Sequence, residues 1–123
     1  MAPLPQPYRH GAELARQMAS VPVLILACID HGTAGAGPGP LTRGASIYPA
    51  VQNLMLAARA LGLGTVLTTL HTQYEREIKA LLRIPEAVET AALIPVGYPA
   101  EGARFGHARR MPLTAVVFHD RWG

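Results

Sequence analysis

The segment Gly44–Thr69, GASIYPAVQNLMLAARALGLGTVLTT, constrains the fold more than any other part of the chain. It reads as one long helix, Ile47–Leu61, that runs through Leu61-Gly62-Leu63-Gly64 into a strand. Its only strongly polar residues are Gln52, Asn53 and Arg59. A helix apolar on nearly every side has to be covered on nearly every side. With 123 residues in all, the chain has little material left for that cover. The helix therefore points to a partner subunit.

A chain of this length makes one domain, residues 1–123. Half of it is hydrophobic, enough for a real core, although aromatic side chains are scarce. The formal charge is +3, with eleven basic against eight acidic residues. The basic residues are scattered, apart from the doublet Arg109-Arg110, and form no arm or stripe for nucleic acid. A mild positive excess suits a small anionic ligand better.

Cys28 is the only cysteine, which excludes an intrachain disulfide and suits a reducing cytosol. Its place in the apolar run Val21–Ile29 reads as an inert core thiol. No charged segment precedes an apolar stretch at the N-terminus, so no secretory leader is expected. The longest apolar run, Val23–Ile29, is far short of the about 20 residues a membrane span needs. The expected location is cytoplasmic, with no membrane contact.

Along the chain, Tyr8–Ser20 reads as a short helix and Val21–Ile29 as a strand buried on both faces. Asp30–Arg43, rich in glycine and proline, reads as a loop. Ser46 is placed to cap the following helix, with Pro49 in its first turn and Gly62 or Gly64 as a left-handed stop. Thr65–Leu70 is β-branched and reads as a strand. Thr72-Gln73-Tyr74-Glu75 matches a capping box for a helix Gln73–Leu82 that ends before Ile84-Pro85. Val88–Val96 and Leu113–His119 read as the remaining strands. The order α-β-α-β-α-β-β predicts an α+β domain, a mixed sheet flanked by helices.

Several familiar chemistries are absent. The glycine loop Gly32–Gly39 lacks the Gly-Lys-Ser/Thr ending of a phosphate loop and the tight strand-to-helix turn of a dinucleotide fingerprint. Cys28 and His31 have the spacing of half a zinc site, with no second pair to complete it. Ser46 is in no nucleophile elbow. No catalytic side chain and no metal site is therefore assigned. Two features remain, each with an ordinary alternative. The backbone amides and hydroxyls of Thr65-Val66-Leu67-Thr68-Thr69-Leu70, which leaves a strand and meets a helix start at Thr72, either face a polar heteroaromatic ring or belong to plain strand and cap residues. Arg109-Arg110 either grips a phosphate bidentately or is simply solvated.

These residues, in this order, resemble the C-terminal part of the FMN-dependent nitroreductase family. The likeness is carried by Gly44-Ala45-Ser46-Ile47-Tyr48-Pro49-Ala50-Val51-Gln52-Asn53-Leu54 and by Ala57-Ala58-Arg59-Ala60-Leu61-Gly62-Leu63-Gly64-Thr65. It continues through Thr68-Thr69-Leu70-His71, Ile94-Pro95-Val96-Gly97-Tyr98-Pro99, Arg109-Arg110-Met111-Pro112 and Asp120-Arg121-Trp122. It covers roughly Val21 to the end.

The resemblance implies a nitroreductase-like fold and a homodimer with long helices at its centre. It also implies FMN at the interface, touched by both subunits. Carried onto this chain, Thr68, Thr69 and Leu70 face the flavin, and Arg110, with Arg109 beside it, holds the phosphate. The implied activity is a flavin oxidoreductase passing electrons from NAD(P)H to a nitroaromatic, quinone or similar acceptor. The family's opening Arg-rich helix and its Pro-Ser-x-x-Asn-type segment are not present, so the chain reads as a truncated member. The competing expectation is a non-catalytic remnant that keeps the dimerisation core and binds FMN weakly or not at all.

Overall fold

The computed structural model describes residues 6–32, 40–103, 105–106 and 110–122, with the backbone alone for 6–10, 40 and 41. Helix α1 (Gln6–Gln17) and a 3-10 turn (Met18–Ser20) lead into strand β1 (Val23–Asp30). Helix α2 (Pro40–Ala60) is followed by the short strand β2 (Gly64–Thr65). A 3-10 turn (Leu70–Tyr74) then continues into α3 (Glu75–Leu82), and strand β3 (Val88–Gly97) follows. The fold is α+β, as expected. The expected mixed sheet is, among the described residues, antiparallel throughout, in the order β1-β3-β2.

β3 is the spine. It pairs with the whole of β1 on one side, from Val23 opposite Val96 to Asp30 opposite Val88. On its other side it holds β2 and an isolated bridge to Thr68. The β1–β3 register slips once, because Ala27 faces Ala92 and Cys28 faces Thr90. Ala91 is the extra residue of a β-bulge, a device that re-aims the side chains beyond it. On the far side of the bulge, Glu89 meets Arg43 of α2 and Thr90 meets Glu75 of α3. The Tyr48 hydroxyl donates to the Ala91 carbonyl at 3.3 Å, so α2 also holds the bulge itself.

The core lies between α2 and one sheet face. Val51, Ala92 and Ile94 are fully enclosed, with Ile25, Ala27, Ile47, Leu54, Met55 and Val96 packed against them. Ile47, Val51, Leu54, Met55 and Ala58 recur at helical spacing, so this one stripe of α2 meets the sheet. The opposite side of α2 is uncovered among the described residues: Leu56 is 57% exposed, and Leu61, just past the helix end, 76%.

α2 starts earlier than its apolar pattern indicates. Pro40, an acceptable first-turn residue, opens it. Ser46 is consequently an interior residue rather than the cap, and Pro49 lies mid-helix, where its missing N–H leaves the Ala45 carbonyl without the usual intrahelical donor. The stop is as expected. Gly62 adopts φ +78, while Leu63 N–H donates to Ala58 and Gly62 N–H to Arg59. That is the Schellman pairing, which satisfies two end carbonyls.

Three other expectations are corrected. β1 is not buried on both faces: it is an edge strand of this sheet, and Val23 and Leu24 are about half exposed. Thr65–Leu70 is strand only at Thr65 and in the Thr68 bridge. Leu113–His119 forms a 3-10 turn (Leu113–Ala115) followed by exposed chain. An apolar run becomes a strand only where an edge accepts its hydrogen bonds, and no described strand pairs with this one.

Two stability changes follow. Ile94→Ala, at a fully enclosed site, costs about 2–5 kcal/mol in urea denaturation. Gly62→Ala forces a Cβ into left-handed backbone and costs about 1–2 kcal/mol by the same measurement.

Candidate functional site

The segment from Thr65 to Glu75 joins the sheet to α3. Thr68 anchors it. Its amide and carbonyl exchange hydrogen bonds with Leu93 at 3.0 and 2.9 Å, and its Oγ1 accepts the Leu70 N–H at 3.1 Å. The polar groups of Thr68 are thus spent in shaping the turn. Thr69 is exposed, its carbonyl accepting from both the amide and the hydroxyl of Thr72. Leu70 is half-buried. Thr69 and Leu70 therefore form the part of the expected flavin contact that reaches the surface.

The capping box does not form. Thr72 Oγ1 turns back to Thr69, and Glu75 leaves the helix end for the sheet. Glu75 Oε1 accepts from Thr90 Oγ1 at 2.6 Å and from Thr90 N–H at 3.2 Å, with Lys79 Nζ at 4.0 Å. The two Thr90 hydrogen bonds hold the Glu75 carboxyl below its ordinary value, with smaller help from Lys79 and His71 against the opposing effect of burial. Lys79 also donates to the Glu86 carbonyl at 3.1 Å. This polar cluster pins α3 to β3.

His71 is the single buried residue of the 3-10 turn, only 3% exposed. Neither ring nitrogen has a hydrogen-bond partner among the described residues. Nothing in the spacing of His71 separates a buried imidazole from a surface one.

Cys28, across the sheet from Thr90, is half-buried, and burial pushes its thiol up, away from the reactive thiolate. Its spacing partner His31 goes elsewhere: His31 Nε2 and Arg43 Nε both meet Glu89 Oε2, at 3.4 and 3.1 Å. Among the described residues, no three potential metal ligands gather in one place.

Arg110 is exposed, and no hydrogen bond or ion pair joins it to the turn among the described residues. Arg109 lies outside the described residues. Over the uncovered side of α2, a hollow of about 290 Å³ is lined by Gln52, Leu56, Arg59 and Phe105, with the Arg59 guanidinium 3.1 Å above the Phe105 ring centre.

The model of the nitroreductase family matches residues 6–98, most of the chain. The chain belongs to the nitroreductase family. A Methanothermobacter thermautotrophicus protein with the provisional name NADH dehydrogenase/NAD(P)H nitroreductase is 38% identical over 100 residues, 80% of this chain and 49% of that one. An Archaeoglobus fulgidus protein of the same name is 36% identical over 75 residues, 59% of this chain and 43% of that one. The chain thus spans about half the length of these relatives.

Solved structures agree on the fold. Bacillus megaterium NfrA2 superposes with a TM-score of 0.71 at 24% identity, over 94% of this chain and 53% of that one. A Parabacteroides distasonis protein with the same provisional nitroreductase name gives 0.63 at 24% identity, over 88% of this chain and 61% of that one.

The Glu75–Thr90 tie generates a pH prediction. A carboxyl held below its ordinary 4.5 stabilises the fold above that value and loses the contribution as pH falls through its folded value. Wild type should exceed Thr90→Val in urea stability at neutral pH, and the gap should narrow as pH falls below 4.5. A gap that persists at low pH contradicts the tie.

Proposed function

We propose that this chain is an FMN-dependent oxidoreductase that works as a homodimer. The observation that carries the reading is the family match over residues 6–98. The uncovered side of α2 supports it, since exposed Leu56 and Leu61 beside Ala57 and Ala60 call for a second protein surface.

Thr69 and Leu70 are the groups we assign to the flavin ring, with Thr68 holding their turn in place. Arg110, with Arg109, is assigned to the phosphate. The buried imidazole next to Leu70, with both nitrogens unsatisfied, suits a polar ring at this turn. When bound, FMN supplies the electron exchange between NAD(P)H and a nitroaromatic, quinone or similar acceptor; the protein supplies binding, orientation and a dry site. No side chain is assigned an acid or base role. The unpaired cysteine and the lack of any described helix able to cross a membrane accord with a cytoplasmic enzyme.

A second reading is a non-catalytic dimerisation core with weak FMN binding. The internal use of the Thr68 amide, carbonyl and hydroxyl oxygen favours it. Colour separates the two. A yellow purified protein, or quenching of added FMN fluorescence, supports the oxidoreductase. A colourless protein indifferent to FMN leaves the core.

Arg110→Ala should weaken FMN about 10- to 150-fold, the equivalent of a charged hydrogen bond worth about 1.5–3 kcal/mol, and leave the dimer intact. Unchanged affinity refutes the phosphate role. Leu56→Asp should give a monomer in sedimentation; a variant that remains dimeric refutes the α2 interface.

A further inference from the structure

Gln52 and Arg59 are seven residues apart on α2, so they share one stripe of the helix and stand about 10 Å from each other along its axis. Met55 and Leu56 lie between them on the same stripe. With Leu63, Thr65 and Phe105 they line the hollow of about 290 Å³. That is close to the size at which small-molecule sites begin, and its make-up is theirs: apolar walls with a few polar groups. The polar groups are the side chains of Gln52, Arg59 and Thr65. Among the described residues none of the three has a hydrogen-bond or ion-pair partner.

Arg59 decides the chemistry. Its guanidinium sits 3.1 Å above the Phe105 ring centre. So close an approach requires the guanidinium plane to lie flat on the ring. The contact occupies one face and leaves the N–H edge, a fork that matches a carboxylate. Holding the long side chain against the ring also removes much of the freedom that a ligand would otherwise have to freeze. At the far end of the hollow, Gln52 offers both a donor and an acceptor.

We infer that this hollow binds a small planar aromatic acid. The carboxylate meets the Arg59 edge, the ring system lies along Met55, Leu56 and Leu63, and the far end reaches the Gln52 amide. A two-ring molecule has the length for that span. None of these residues is assigned to the flavin, so the inference does not rest on the FMN reading. Leu56 alone is shared with the dimer reading, because Ala57 and Ala60 fall on the next stripe of the helix.

The test uses FMN-free full-length chain and two fluorescent probes of one shape, a naphthalene carboxylate and its neutral carboxamide. Wild type should bind the carboxylate about tenfold more tightly than the carboxamide. Arg59→Gln should abolish that preference and leave carboxamide binding unchanged. Phe105→Ala, which frees the guanidinium, should weaken carboxylate binding severalfold. In ¹⁵N-labelled wild type, the carboxylate should shift the Arg59 Nε–H and Gln52 side-chain amide resonances, a readout that needs no variant to fold. Equal binding of the two probes, or no binding of the carboxylate, overturns the inference. So does a preference that persists in Arg59→Gln, which belongs to the overall positive charge. Resonances of Arg59 and Gln52 that stay fixed at saturation overturn it as well.

Discussion

The antiparallel ladder between β1 and β3 is the constraint on which the remaining structure rests. Among the described residues it is the one long-range backbone pairing that runs the length of two long strands. Every other layer is fixed relative to it. α2 lays Ile47, Val51, Leu54 and Met55 on one face, while α3 is tied to the other through Glu75 and Thr90. The bulge at Ala91 lets both attachments coexist. By absorbing the extra residue it keeps Glu89 towards α2 and the adjacent Thr90 towards α3, so neither polar side chain is driven to the other face.

α2 shows how one element serves two purposes. One stripe of it is interior in the ordinary sense, with Val51 at 2% exposure and Ala58 at 8%. The rest, with Leu56, Ala57 and Ala60 exposed, is open among the described residues apart from the Phe105 ring beside Arg59. Burying a side chain the size of leucine is worth about 1.5–3 kcal/mol. Leaving Leu56 and Leu61 in water therefore forgoes a sum comparable to a large part of a domain's net stability. A helix of this composition makes physical sense as half of a shared core.

Much of this was legible in the sequence because it depends on local pattern. The Gly62 stop needs only a left-handed position after a helix, and Val88–Gly97 needs only an apolar run of strand length. The α2 helix and its uncovered side follow from composition alone. What escaped depends on tertiary partners. Glu75 has the spacing of a capping residue, but Thr90 offers two hydrogen bonds and outcompetes the helix amides. Ser46 is a good cap, yet the helix had already begun at Pro40. Leu113–His119 has strand chemistry without an edge to join. Within the candidate site, Thr69 is exposed and Leu70 half-buried, whereas the enclosure of His71 has no signature in a single sequence.

The Ala91 bulge also determines what evolution can do with β3. Because Ala91 has no partner of its own, losing that one codon would leave every cross-strand pair in place, with Thr90 still opposite Cys28 and Glu89 still opposite Ile29. Glu89 would stay with Arg43 and His31, and Thr90 with Glu75. What would vanish is the carbonyl that receives the Tyr48 hydroxyl. A related chain one residue shorter at this point can therefore keep both layers attached and lose only the tyrosine's tether.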